Sequence, residues 1–255
     1  MYDDCGHPVE APHPLRTVVS LVPSLTESVE VTAPGLLVGA TDWCPHPPGL
    51  RVHRIGGTKN PRIDDVVNLA PDLVVANEEE NRQADIAALR ERGIVVWVTA
   101  PRSVPDALRS LDRMLRLGCG LARPNWLDDA ETAWMTATDR RGAMRAIVPI
   151  WRRPWMALGC DTFAGDVLGR LGVMNVLREA SERYPRIDLN EVRALRPDLV
   201  VLPDEPYPFG PADGPEVFAS WGVPVALVSG RHLTWYGPSL VAAPATLAAQ
   251  LDAAR

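Results

Sequence analysis

Lysine is nearly missing from this chain: of the 26 Lys+Arg residues only Lys59 is a lysine. Phenylalanine is scarce, with three against eight tryptophans. No basic block occurs and the formal net charge is −6, which argues against nucleic acid or an anionic membrane as partner. The early apolar run Val18 to Val22 is broken by Ser20 and is too short to span a bilayer. The N-terminus, MYDDCGHPVEAPHPLR, is acidic and lacks the apolar core of a secretory signal; Cys5 lacks the apolar run that precedes a lipoprotein cysteine. The expectation is a cytoplasmic chain as written, or a periplasmic or extracellular one if the true start lies upstream. The four cysteines (Cys5, Cys44, Cys119, Cys160) show no C-x-x-C spacing and are expected as free thiols. Catalytic and nucleotide signatures are missing too. Ser24 lies in VPSLT rather than G-x-S-x-G. No G-x-G-x-x-G follows the first strand, and the Gly56-Gly57 segment lacks the P-loop order.

What is present is a long alternation of short apolar runs with helical patterns, over 255 residues punctuated by 25 prolines and 19 glycines. Strands are expected at Thr17–Leu21, Leu37–Ala40, Asp72–Ala76, Ile94–Thr99, Ala146–Ile150, Asp198–Leu202 and Val225–Val228. Helices are expected between them, including one after Pro23 capped by Ser24 with Glu27 at capping-box spacing. This pattern predicts an α/β protein with parallel sheets. Pro124 to Ala143 carries no strand pattern, and Trp126 and Trp134 fall on one helical face, so it reads as part of a connecting helix.

The halves echo each other. PRIDDVVNLAPDLVVAN starts at Pro61, and PRIDLNEVRALRPDLVVLPD starts at Pro185. Taking PRID as the start of a lobe-level repeat pairs Lys59-Asn60 with Arg183-Tyr184. The expected organisation is a flexible tail (1–15), an N-terminal lobe (16–118), a connecting helix (119–144) and a C-terminal lobe (145–255). Ligands of open α/β sheets bind at the carboxyl ends of the strands, so two such lobes imply a cleft.

Candidate contacts cluster at those ends. Trp43, Cys44 and His46 share a proline-rich loop. Cys44, His46 and His232 are weak metal candidates, because a closed site needs about four ligands and no matching pair exists. The Gly56-Gly57-Thr58-Lys59 loop permits close backbone approach and offers one compact cation. Asn77 ends a strand. In the second half, Trp155, Asp161, Tyr184, Glu205, His232, Trp235 and Tyr236 follow strands; Asp161 or Thr162 also suits a helix cap. Indole and phenol combine a flat apolar face with one polar handle, which suits a large flat ligand.

RTVVSLVPSLTE, LVGATDW, GGTKNPRID, LAPDLVVANEEEN, PWMALGCDTF, ERYPRIDLNEVRALRPDLVVLPDEPYPF and LTWYGPSL together resemble the cobalamin-binding proteins of ABC importers, within the helical-backbone metal receptor superfamily. The resemblance runs from about Arg16 to Leu251. It implies two Rossmann-like lobes joined by one long helix, with a corrinoid held between them by aromatics of both. Trp43 and Tyr184 match cleft aromatics of the family, whereas Thr58 and Asn77 stand where a well-known member has tryptophans; Trp235 and Tyr236 are candidates to compensate. The expected ligand contacts are therefore Ser24, Trp43, His46, Thr58, Lys59, Asn77, Trp155, Asp161, Tyr184, Glu205, His232, Trp235 and Tyr236. The family docks on its permease through one carboxylate per lobe. Asp64 matches the first; the second falls on Asn190, with Glu191 adjacent. The implied function is a non-catalytic, monomeric binding protein for cobalamin or a related corrinoid or metal chelate. The alternative is an enzyme recruited from this scaffold, with Lys59, His46, Asp161 or His232 as acid–base groups.

Overall fold

A computed structural model describes residues 1–137 and 144–254. The chain divides into two compact units. One comprises Met1–Pro101, Pro105–Asp128 and Tyr236–Pro238; the other comprises Arg102–Val104, Asp129–Trp235 and Ser239–Arg255.

The first unit holds β1 (Val18–Ser20), α1 (Pro23–Thr32), β2 (Leu37–Ala40), β3 (His53–Arg54), β4 (Gly56–Gly57), β5 (Asn60–Pro61), α2 (Ile63–Asn68), β6 (Leu73–Asn77), α3 (Gln83–Glu91) and β7 (Val96–Thr99). Next come α4 (Val104–Arg113), a π-helical turn at Met114–Gly118 and α5 (Asn125–Thr136). Its five-stranded sheet has the order β3-β2-β1-β6-β7, and every pairing is parallel. β1 and β6 are buried throughout, as strands covered on both faces should be. Strand order reverses between β1 and β6, so their carboxyl ends form the switch point where such sheets take ligands.

Helix α1 differs from expectation. Val22 is its N-cap and provides no side-chain bond, while Ser24 and Glu27 lie buried inside the helix. A capping side chain contributes about 1 kcal/mol. Burying Leu25 and Val29, both 0% exposed, contributes about 1.5–3 kcal/mol each. Packing therefore holds this helix without a cap.

The second unit holds β8 (Met144–Ile147), β9 (Pro149–Trp151), β10 (Met156–Ala157), α6 (Phe163–Arg170), β11 (Val173–Asn175), α7 (Leu189–Ala194), β12 (Leu199–Pro203), α8 (Pro215–Phe218), β13 (Val225–Val228), α9 (Gly230–Thr234) and α10 (Ala243–Ala253). Its main sheet is β11-β8-β12-β13, again parallel. The core gathers Ile147, Val192, Val200, Leu202, Phe209 and Phe218. The expected helix over 119–144 is shorter: α5 begins at Asn125 after Pro124 and ends at Thr136, and residues 138–143 of that range lie outside the described residues. Trp126 donates to Thr32 Oγ1 (3.0 Å) and Trp134 to the Leu240 carbonyl (3.1 Å). No helix among the described residues is long and apolar enough to cross a membrane.

The internal repeat is real in the backbone, but its register differs from the one PRID suggests. Helix α2 and strand β6 recur as α7 and β12 at a constant offset of 126, since 189 − 63 and 199 − 73 agree. At that offset Arg62, not Asp64, is the counterpart of Asp188. Asp188 caps α7, accepting from the Asn190 and Glu191 amides, whereas Asp64 lies within the first turn of α2. The identical tetrapeptides are thus two residues out of structural register. The deeper match is conformational. Ala70 and Arg196, the residue before each Pro-Asp, both adopt a left-handed backbone, φ 44° and 52°. The following aspartates then do the same work. Asp72 Oδ2 accepts from the Arg16 (2.7 Å) and Thr17 (3.0 Å) amides, and Asp198 Oδ2 from the Arg145 amide (3.0 Å).

The first residues, expected as a flexible tail, are docked on the first unit. Asp3 and Val9 are buried, and Tyr2 forms a bridge with Pro8.

Backbone amides at Arg16 and Thr17 hold the Asp72 carboxyl below its ordinary value. A depressed carboxyl stabilises the fold above its unfolded pKa of about 4, and the contribution is lost as pH falls through the folded value. Asp72→Asn should therefore melt at a lower temperature than wild type at pH 7, and the gap should narrow as thermal unfolding is repeated below about pH 4.

Candidate functional site

In the first unit, the loops after β1, β2 and β6 meet at the switch point. β4 and β5 form a hairpin with Gly56 opposite Pro61 and Gly57 opposite Asn60, so Thr58 and Lys59 are its two-residue tip. Gly56 takes φ 91°, and a Cβ there would lie 3.0 Å from the Asn60 carbonyl, a conformation and approach that need glycine. A Cβ on Gly57 would meet Trp43 Nε1 at 3.6 Å. The Trp43 indole therefore lies beside the hairpin, and it is 70% exposed. Lys59 is exposed and its ammonium donates to the Glu79 carbonyl. His46 is half-buried in the Trp43 loop.

Other first-unit candidates are committed to the fold. Asn77 is buried; its amide donates to the Thr99 carbonyl (2.9 Å), and its Oδ1 accepts from the Glu79 (2.9 Å) and Glu80 (3.0 Å) amides. The Asn77 side chain, expected to face a ligand, is thus engaged in the turn after β6. Asn81, not singled out from sequence, accepts from the Asn77 amide and donates to the Leu21 and Thr58 carbonyls. Those bonds tie the ends of β1 and β6 to the hairpin tip. The signal for this was present as an Asn-x-x-x-Asn spacing, which returns an Asx side chain to its own loop. The Tyr236 phenol lies against Thr99 Oγ1 (3.2 Å) and the Ser24 hydroxyl. Burial, with Glu80 and Glu79 nearby, pushes it well above its ordinary value, so Tyr236 is a fixed hydrogen-bonding group. Cys44 is buried, takes a hydrogen bond from Thr26 Oγ1 and shares another with Thr41, both 3.1 Å. Burial raises its thiol pKa, which disfavours the thiolate form used in metal ligation. Among the described residues, no group of three or more His, Cys, Asp and Glu side chains is placed to hold a metal ion.

The second unit builds its own strand-end rim. Glu205 follows β12, is half-buried, and accepts from Trp235 Nε1 (2.9 Å). Arg231 lies over the Trp235 ring, 5.7 Å from its centroid. His232 Nδ1 bonds Ser229 Oγ (2.8 Å), the residue that caps α9. Tyr184 is half-buried in a segment held against Gly159: the Gly159 amide donates to the Arg183 carbonyl (2.7 Å), and a Cβ on Gly159 would lie 2.0 Å from the Glu182 carbonyl. Asp161 adopts a left-handed φ of 46° and pairs with Arg183 (3.2 Å) and Arg102 (3.8 Å). Thr162, not Asp161, caps α6 by accepting from the Gly165 amide. Trp155 belongs to an aromatic cluster, stacked on Phe209 at 6.0 Å and edge-on to Phe218 at 5.6 Å, with Arg152 over its ring at 5.5 Å. Arg152 also pairs with Asp213 and Glu216. It was missed from sequence because Arg152 and Arg153 are indistinguishable there.

No protein-family model matches the chain. The vitamin B12-binding protein of Vibrio cholerae is 20% identical over 202 residues, covering 74% of this chain and 71% of that protein. A crystal structure of the periplasmic vitamin B12-binding protein of Vibrio cholerae is similar with a TM-score of 0.76 at 18% identity, covering 95% of this chain and 99% of that one. A periplasmic haem-binding protein from Roseiflexus, in apo form, gives 0.75 at 19% identity, covering 94% and 100%. A Helicobacter pylori protein with Ni(II) bound gives 0.81 at 13% identity, covering 98% and 87%. Two α/β units with parallel sheets are thus a fold shared with these proteins, and the resemblance read from the sequence is to the same group. The cytoplasmic expectation gains no support, since both the B12-binding and the haem-binding neighbour are periplasmic.

Burial, above all, raises the Glu205 carboxyl pKa, with the Trp235 bond opposing it. A carboxyl raised on folding stabilises most below its unfolded pKa, and the contribution is lost as pH rises through the folded value. Glu205→Gln keeps an acceptor for Trp235 and removes the charge. It should melt above wild type at pH 7.5, and the difference should vanish near pH 4.

Proposed function

We propose that this chain is a non-catalytic binding protein for a large, flat metal chelate, a corrinoid such as cobalamin in the first instance, which it delivers to an ABC permease from the periplasmic or extracellular side. The observation that carries the reading is Trp43. An indole 70% exposed, set beside a Gly-Gly hairpin at a strand-end switch point, leaves a large apolar face in water. Such a face has an evident use in stacking on a flat ligand. The likeness to B12- and haem-binding proteins supports the same ligand class. Around Trp43, the Thr58–Lys59 tip offers polar groups for the ligand's edge.

For the permease, Asp64 and Glu191 are the proposed docking carboxylates. The Asp64 side chain is 79% exposed and pairs with Arg92; Glu191 is exposed in the first turn of α7. At the offset of 126 the counterpart of Asp64 is Asn190 and that of Glu191 is Asp65, so the carboxylate of the second unit sits one position later on its helix. The enzyme alternative is less supported. Lys59 is engaged by the Glu79 carbonyl, His232 by Ser229, and Asp161 by two arginines.

Titrating the purified protein with cobalamin, cobinamide and haem, followed by tryptophan fluorescence and the ligand spectrum, tests the reading. A saturable change with a corrinoid is expected, and its absence with all three ligands overturns the proposal. Trp43→Ala should weaken the binding by about 1–3 kcal/mol, the scale of aromatic stacking on a nucleobase; an unchanged affinity places Trp43 outside the contact.

A further inference from the structure

Strand β7 is an edge strand of the five-stranded sheet, yet all four of its residues, Val96, Trp97, Val98 and Thr99, are buried. An apolar, uncharged, β-branched edge is a template for pairing with another chain unless something covers it. The N-terminal segment does so. The Asp4 amide donates to the Val98 carbonyl (3.1 Å), the Val98 amide donates to Asp3 Oδ2 (3.3 Å), and the Ala100 amide donates to Asp4 Oδ2 (3.2 Å). Two carboxylates and one peptide group thus stand in for a neighbouring strand.

The anchoring is stronger than a tail requires. The Asp3 side chain is 0% exposed. Besides Val98 it accepts from the Cys5 (3.0 Å) and His7 (2.8 Å) amides and from Arg90 (2.9 Å), which offsets the cost of burying a carboxylate. Asp4 also accepts from Ser110 and Arg113. Arg113 donates in turn to the Tyr2 carbonyl (2.6 Å) and lies over the Trp97 ring at 5.7 Å. The charges of Asp3 and Asp4 are therefore met by one arginine each, from α3 and α4.

We infer that residues 1–9 form a strap that closes the β7 edge through Asp3 and Asp4 and blocks its pairing with a second copy of this chain. The inference is independent of the ligand. In the wild type, hydrogen exchange should find the outward-facing Val98 and Ala100 amides protected; exchange at the rate of an open edge overturns the strap. In the Asp3→Ala/Asp4→Ala double variant those two amides should exchange at least about tenfold faster, as local opening requires, while the Val200 amide in the second unit keeps its rate. The variant should also form a dimer whose population rises with concentration in analytical ultracentrifugation. Unchanged exchange at Val98 and Ala100, or a variant that stays monomeric at every concentration, overturns the inference. Should the double variant fail to fold, the wild-type protection pattern still decides.

Discussion

Two aspartates set the geometry of both units. Asp72 and Asp198 each follow a proline and a residue in left-handed conformation, and each turns a carboxylate back onto the amides at the start of its sheet's first strand. The clamp fixes where β1 lies against β6 and where β8 lies against β12. Everything at the carboxyl ends of those strands is then placed by counting along them, including the Asn77 turn in one unit and Glu205 in the other. A carboxylate accepting backbone amides is among the stronger hydrogen-bonding arrangements available to a chain, and here it joins segments 55 residues apart (Asp72 to Thr17) and 53 apart (Asp198 to Arg145).

With the strand ends fixed, the tryptophans separate by function. Trp97 is fully buried under Arg113, Trp134 donates to the Leu240 carbonyl, and Trp155 completes the aromatic cluster. Trp43 and Trp151 are exposed, at 70% and 42%, and of the two Trp43 is the one that lies beside the Gly56-Gly57 hairpin. Excess tryptophan in the composition is therefore mostly structural, and the functional argument rests on where one indole sits.

Much of the fold was legible because it is written in local patterns. The alternation of buried β-branched runs with helices located β1, β2, β6, β7, β12 and β13 to within two residues. The repeat of Pro-Asp-Leu-Val-Val identified equivalent strands. The identical PRID tetrapeptides misled by two residues, since sequence identity does not distinguish the cap at Asp188 from the helical position at Asp64. The short β9–β10 hairpin escaped for a similar reason: WRRPW carries no alternation. The candidate site was less legible because side-chain direction depends on tertiary partners. Trp235 and Tyr236 are neighbours in sequence, yet one bonds Glu205 and the other Thr99. Asn77 ends its strand as expected, but the Glu79 and Glu80 amides and Thr99 claim its side chain.

The near absence of lysine has a chemical corollary. Apart from the terminal ammonium, which donates to the Val9 carbonyl, Lys59 is the sole primary amine in the chain. It stands exposed at the tip of the hairpin that borders Trp43. An amine-selective reagent applied to the folded protein therefore has one side-chain address, and that address adjoins the proposed binding face. A single covalent probe at Lys59 reads that face without any engineered residue.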